Sequence, residues 1–332
     1  MSIRIAALVL AVALGGTACS SEEDQAAKAR IFSPEDPPKS LQAAAEALDS
    51  GELEGDPVLL DRVLAISAQE AAARVGPHVQ EVQVDFRWKA KDREVRLAEE
   101  RMVALGKGSD FHVRTSNDQK QGMEWVKVDG ISYARARYAK FRERRRDRGS
   151  SEHVVASAYA SLVTFRDWVH GAMKLTPAGS TTVDGRKAVK YTVALGEPHA
   201  PAGSGHLPEI AYPKGGPDED TKLRLTALEQ GKPTAVSGTL VVDEATALPL
   251  QADLKAALLV PGEQGESRLE LSMKLDVKGI GKAPQIAIPE HIEDAPRPPG
   301  VVATLEAYGI ERAAAEEAKA EKSGEKAAPD EE

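Results

Sequence analysis

The sequence predicts an α+β fold: a strongly curved antiparallel sheet of about 10–11 strands, a half-barrel, with helices on its concave face. Three observations predict it. The apolar period changes from 3.6 to 2 near Val82, returns to 3.6 near Ser151 and is 2 again beyond Val183. Asp129-Gly130 and Asp184-Gly185 interrupt alternating runs, and such pairs suit a two-residue hairpin turn because both central positions need positive φ. Two late runs, Leu248 to Val260 and Leu269 to Val277, keep the alternation without a break. The longer of these reaches about 40 Å at ~3.3 Å per residue, and long paired strands that share a sheet curl.

Taken in order, Ser40 is placed to cap a first helix, Leu41 to Leu48, which Gly51 ends. Asp56-Pro57 opens a second, with Pro at its first position. Leu59, Leu60, Val63, Leu64, Ile66, Ala71 and Val75 give it helical spacing, and Gly76-Pro77 stops it. Val82, Val84, Phe86 and Trp88 then alternate with polar residues as a half-buried strand. Val95 to Leu105, Phe111 to Thr115, Glu124 to Val128 and Ile131 onward complete a meander of about five strands joined by tight turns. A basic run follows, and Ser151 is placed to cap one helix of about 24 residues to Leu175, with Val154, Ala158, Leu162, Phe165, Val169 and Met173 on one face and Pro177 beyond its end. Val189, Tyr191, Val193 and Leu195 resume the strand period. The proline- and glycine-rich stretch from Glu197 to Asp220 reads as a lid or a surface insertion. Strands are expected again at Leu223 and Leu225, at Leu240 and Val242, and in the two long runs.

Of 332 residues, 42% are hydrophobic and 29% charged, so the middle of the chain is globular. The formal charge of −9 argues against nucleic acid as a partner. With a single cysteine there is no intrachain disulfide, and stability must come from packing.

That cysteine, Cys19, sets the expected address. Arg4, an apolar run from Ile5 to Leu14 and small residues lead to it, and a polar stretch follows. This is the layout of a secretory signal over residues 1–18; the apolar run is too short to span a bilayer. Gly16-Thr17-Ala18-Cys19 resembles the lipobox of bacterial lipoproteins. The resemblance implies that Cys19 is lipidated with palmitate-type chains and anchors the chain to a membrane. Residues 19–40 then form a flexible tether, 41–295 the folded domain, and 296–332 an Ala-Glu-Lys tail, helical in pattern and solvated. Ser20 at the sorting position implies the periplasmic face of the outer membrane in a Gram-negative host.

Three stretches carry a second resemblance. They are Trp125 to Tyr133, Asp184-Gly185-Arg186-Lys187-Ala188-Val189-Lys190-Tyr191, and Gly238 to Leu250 with Asp243 and Thr246 in its turn. Together they resemble the half-barrel family of Lol-type lipoprotein carriers, sigma-factor regulators of the same fold and mycobacterial lipid-carrier lipoproteins. The resemblance implies an apolar cavity between sheet and helices that holds acyl chains.

Two groups of residues are candidate sites. Trp125, Tyr133, Tyr159, Phe165 and Trp168 fall around the Asp129-Gly130 hairpin and the long helix; they suit either a ligand pocket or a plain core. Arg142, Arg144, Arg145, Arg146 and Arg148 form the densest positive run, suited to anionic head groups or a protein partner through bidentate contacts. The seven histidines are scattered, without the close spacing of zinc ligands. No GxSxG elbow, HExxH or phosphate loop is present. The expectation is therefore no metal, no cofactor and no catalysis. The chain is expected to bind a lipid or an acylated protein as a membrane-anchored carrier or chaperone. The other reading is a structural or regulatory envelope lipoprotein that binds a protein and has no cavity. A cavity under the helix Ser151 to Leu175 separates the two.

Overall fold

The computed structural model describes residues 52–90, 93–144, 147, 149–199, 219–261 and 265–293. The expected signal, Cys19, the tether, the helix Leu41 to Leu48 and the tail lie outside these residues. A 3-10 turn, Glu52–Glu54, precedes α1 (Pro57–Leu64) and α2 (Ala68–Val75). Six strands follow: β1 (His78–Ala90), β2 (Arg93–Leu105), β3 (Phe111–Asn117), β4 (Gly122–Val128), β5 (Ile131–Ala136) and β6 (Phe141–Glu143). Then come α3 (Ser150–Tyr159), α4 (Ser161–Trp168), β7 (Met173–Val183), β8 (Arg186–Leu195) and α5 (Glu219–Gln230). The described chain closes with β9 (Lys232–Asp243), β10 (Pro249–Val260), β11 (Ser267–Lys278) and β12 (Ile292–Glu293).

All twelve strands belong to one open, curved sheet in the order β12-β6-β5-β4-β3-β2-β1-β11-β10-β9-β8-β7. Two sequential meanders, β1 to β6 and β7 to β11, meet where β1 pairs antiparallel with β11 from Val79–Lys278 to Lys89–Arg268. Only the short β12–β6 pair is parallel. The turns form as their chemistry requires. Asp129 and Gly130 take φ of 50° and 79°, and Asp184 and Gly185 take 49° and 80°.

The helices cover one face, and one continuous core lies between them and the sheet. The alternation decides which side chains enter it: Val82, Val84, Phe86 and Trp88 from β1, Leu250, Ala252, Leu254, Ala256 and Leu258 from β10, and Leu269, Leu271, Met273, Leu275 and Val277 from β11. Each such Val, Leu, Phe or Met contributes roughly 1.5–3 kcal/mol on burial. A small second cluster of Val126, Tyr133 and Phe141, with Val128 and Ile286 against it, sits on the other face.

Three helical expectations are corrected. The single helix from Pro57 to Val75 is two. Ser67 breaks it, with extended backbone and its hydroxyl accepting from Glu70 N at 3.1 Å. The single helix Ser151 to Leu175 is also two, separated at Ala160, and it stops at Trp168. His170 and Gly171 turn the chain with φ of 52° and 72°, so Met173 and Leu175 open β7 instead of closing a helix. Pro177 therefore sits inside a strand, next to a register shift. It is tolerated because β7 is an edge. The expected strand at Leu223 and Leu225 is helix α5, which buries Ala227 and Leu228.

Candidate functional site

Helix α3 lies across β2, β3 and β4, and openings run along both its flanks. On one flank it faces α2 and the β2–β3 turn across a groove of about 850 Å³. Ala68 and Ala72 of α2, Leu105 and Phe111 of the sheet, and Val155 and Ala156 of α3 give the groove its apolar lining. Ala68, Ala72 and Ala73 of α2 and Ala156 of α3 reach only a short way into it, which leaves it room. Lys127 crosses it to pair with Glu152, and this bond draws the Glu152 carboxyl below its usual range. The other flank holds a smaller opening of about 260 Å³ beside Val154, Ser157 and Met123.

The space under α4 is filled. Phe165 and Trp168 are buried, and the Trp168 ring lies 5.4 Å from that of Phe86. The openings described along the stretch from Ser151 to Leu175 thus lie on the flanks of α3, not beneath α4.

Of the five aromatic candidates, Trp125, Tyr159, Phe165 and Trp168 join the main core. Tyr133 belongs to the small cluster on the opposite face, because it pairs with Val126, which follows Trp125 in β4 and points away from it. None of the five lines either opening along α3. The apolar part of the groove lining consists of small or ordinary residues set beside polar ones such as Gln69, Lys107, Asp110 and Glu152, and its only sequence signal is the alanine pair Ala68 and Ala72, four residues apart on one face of α2.

Two buried polar groups fix α3. His78 Nδ1 donates to Gly76 O at 2.8 Å, which leaves Nε2 to accept from the Tyr159 hydroxyl at 2.9 Å. Burial pushes the His78 pKa below its usual value, outweighing the hydrogen bond to Gly76. Burial likewise pushes the Tyr159 hydroxyl up. At the other end Gly149, with φ of 81°, occupies the cap position expected for Ser151. The capping carboxylate is that of Asp147, which accepts from Ser151 N and from the Ser132 hydroxyl at 2.8 Å each. Burial raises the Asp147 pKa, but the bonds from Ser151 and Ser132 prevail and lower it.

The basic run is only partly described. Arg142 is exposed and paired with Glu293 at 2.8 Å, and Arg144 lies over the Trp125 ring at 5.5 Å. Arg145, Arg146 and Arg148 fall outside the described residues. The Asp243 turn that carried the family resemblance is an ion-pair lock. Arg186 donates to both carboxylate oxygens at 2.8 and 2.7 Å, and the Thr246 hydroxyl donates at 2.6 Å. Arg74 of α2 then donates to Thr246 O at 2.7 Å, which ties the groove wall to the sheet. Among the described residues no trio of His, Cys, Asp and Glu gathers as a metal site, and no described helix is long and apolar enough to cross a membrane.

No family model matches the chain, and no curated protein matches it. Solved structures similar to it include MucB, at 16% identity and a TM-score of 0.23, where the match covers 67% of this chain and 60% of that one. LprF from Mycobacterium bovis is 12% identical with a TM-score of 0.26, covering 69% of this chain and 96% of that one. A LolA superfamily protein from Nitrosomonas europaea, NE2245, is 13% identical with a TM-score of 0.20, covering 67% and 96%. These likenesses are of fold, and the half-barrel is read from the twelve-stranded sheet of this chain itself.

Proposed function

We propose that this protein is a non-catalytic binding module of the bacterial cell envelope, held to a membrane through a lipid on Cys19, that shelters an acyl chain in the groove between α2 and α3. The observation that carries this reading is the groove: about 850 Å³, within the range of small-molecule sites, with Leu105, Phe111, Val155 and alanines as its apolar wall and polar residues such as Gln69, Lys107, Asp110, Lys127 and Glu152 in the rest of its lining. Each methylene moved there from water gains ~0.8 kcal/mol. In this reading Trp125, Tyr159, Phe165 and Trp168 brace the groove from within the core and do not touch the ligand.

The test is to purify the chain from Ser20 to Glu332 and examine it by native mass spectrometry followed by solvent extraction. A stoichiometric acyl lipid supports the proposal. A clean protein that also fails to take up a fluorescent fatty-acid probe defeats it. The second reading, a regulatory or structural lipoprotein that binds another protein, is favoured by the filled space under α4, and that second outcome would move the assignment to it.

A further inference from the structure

The face of the sheet turned away from the groove carries a pocket of about 460 Å³ near the ends of β3, β4 and β5. Arg114, Glu124 and Arg135 are direct cross-strand partners and form one row, cation–anion–cation, across its floor. The row is not balanced. Glu124 spends one oxygen on Arg135 Nε at 2.7 Å and the other on His112 Nε2 at 2.6 Å. Arg135 also packs over the Phe141 ring at 4.3 Å, so both members of that pair are committed. Arg114 stands beside them exposed, and among the described residues it forms no ion pair. Arg137, just beyond β5, donates to Asn117 O at 2.9 Å and lies 5.1 Å from the Tyr138 ring, with no carboxylate on it among the described residues. The backbone holds Arg137 in place: its N–H donates to Gly122 O at 2.9 Å, and Tyr138 turns the chain at φ of 69°; Arg114 is placed by its register opposite Glu124 in the sheet.

Two guanidinium groups without an acidic partner thus line one concavity, with Glu100 as the only uncommitted carboxylate in its lining. Guanidinium forks match the oxygens of a phosphate in shape and charge. We propose that this pocket is a phosphate-binding site, with Arg114 and Arg137 as the ligands and Glu100 as a carboxylate that weakens binding. The site is independent of the acyl groove, and its phosphate comes either from a lipid head group or from a free phosphate.

The test uses the chain from Ser20 to Glu332, which retains every described residue, and inorganic phosphate as the calorimetric probe at low salt. Arg114→Gln and Arg137→Gln should each weaken phosphate binding about tenfold, whereas Glu100→Gln should strengthen it by roughly threefold. Unchanged far-ultraviolet dichroism confirms that the variants fold, and Glu100→Gln keeps the proposal open to refutation if an arginine variant does not. Flotation with phosphatidylglycerol vesicles, against phosphatidylcholine vesicles, separates the sources. Vesicle binding that follows the same three substitutions marks a lipid head group, and phosphate binding without vesicle binding marks a free phosphate. No binding of phosphate at about 10 mM and none of anionic vesicles overturns the site. So does binding that is indifferent to all three substitutions.

Discussion

His78 and Tyr159 are each buried, and each satisfies the other at 2.9 Å. Replacing Tyr159 by Phe strands the imidazole Nε2 in the core and should cost about 1–3 kcal/mol, read as a drop in the urea midpoint. The pair also makes stability depend on pH. The folded His78 pKa lies below 6.5 because burial disfavours the charged ring, so below that pH the unfolded chain binds a proton that the folded chain refuses. Where the unfolded state holds more protons, stability falls as pH falls. Stability should therefore decline from about pH 6.5 downward, and His78→Gln should flatten that decline in thermal scans. Glu124 and Asp147, whose folded pKa values are lowered, act in a lower window, below 4.5 and 3.8 respectively. The Asp243 lock is a second residue-scale device: Asp243 is 1% exposed and held at both oxygens by Arg186. Asp243→Ala leaves that guanidinium without its anion and should cost roughly 3 kcal/mol, again measured in urea. The Asp243 turn was legible in the sequence as a local motif with Thr246 three residues on, although its ion-pair partner Arg186 lies 57 residues away. The His78–Tyr159 pair was not, because its members are 81 residues apart and nothing in either neighbourhood announces the other.

At the scale of elements the sequence was most legible where side chains alternate. The runs Val82 to Trp88 and Leu269 to Val277 fall within strands, the run Leu248 to Val260 does so from Pro249 on, and both Asp-Gly turns form. Helix ends were harder, since a break needs only one residue to leave helical backbone while the apolar spacing runs on. The break at Ser67 had a signal: Ser67-Ala68-Gln69-Glu70 is a capping box, with Ser three residues before Glu. Ser67→Ala should remove the hydroxyl that accepts from Glu70 N and cost about 1 kcal/mol. Thermal unfolding followed by dichroism checks this. The end of α4 was also marked, by His170-Gly171, whose positive φ values turn the chain into β7. Helix α5 was misread because Leu223-Arg224-Leu225 alternates over three residues, too short a stretch to outweigh the helix formers from Glu219 to Gln230. The groove was least legible of all. It is a gap left by alanines, and apolar periodicity marks where side chains fill space, not where they leave it.

At the scale of the whole molecule, the β1–β11 seam joins the two meanders into one sheet, so the helices share one face and one core. That arrangement ties the flanks of α3 to the rest. The helix is pinned at Tyr159 by His78 and at Ser151 by Asp147, while its sides face open space. Filling the groove without touching the pins separates binding from folding. Ala156 is exposed, lies on α3 and lines the groove, so Ala156→Trp should occupy the space an acyl chain would take. Because the side chain enters a groove and not the core, stability should move by no more than about 0.5 kcal/mol. Affinity for a fluorescent fatty-acid probe should fall at least tenfold, since each excluded methylene forfeits ~0.8 kcal/mol. Equal probe affinity in Ala156→Trp and the parent chain, with the fold intact by dichroism, would place any acyl ligand elsewhere on the half-barrel and remove the groove as its site.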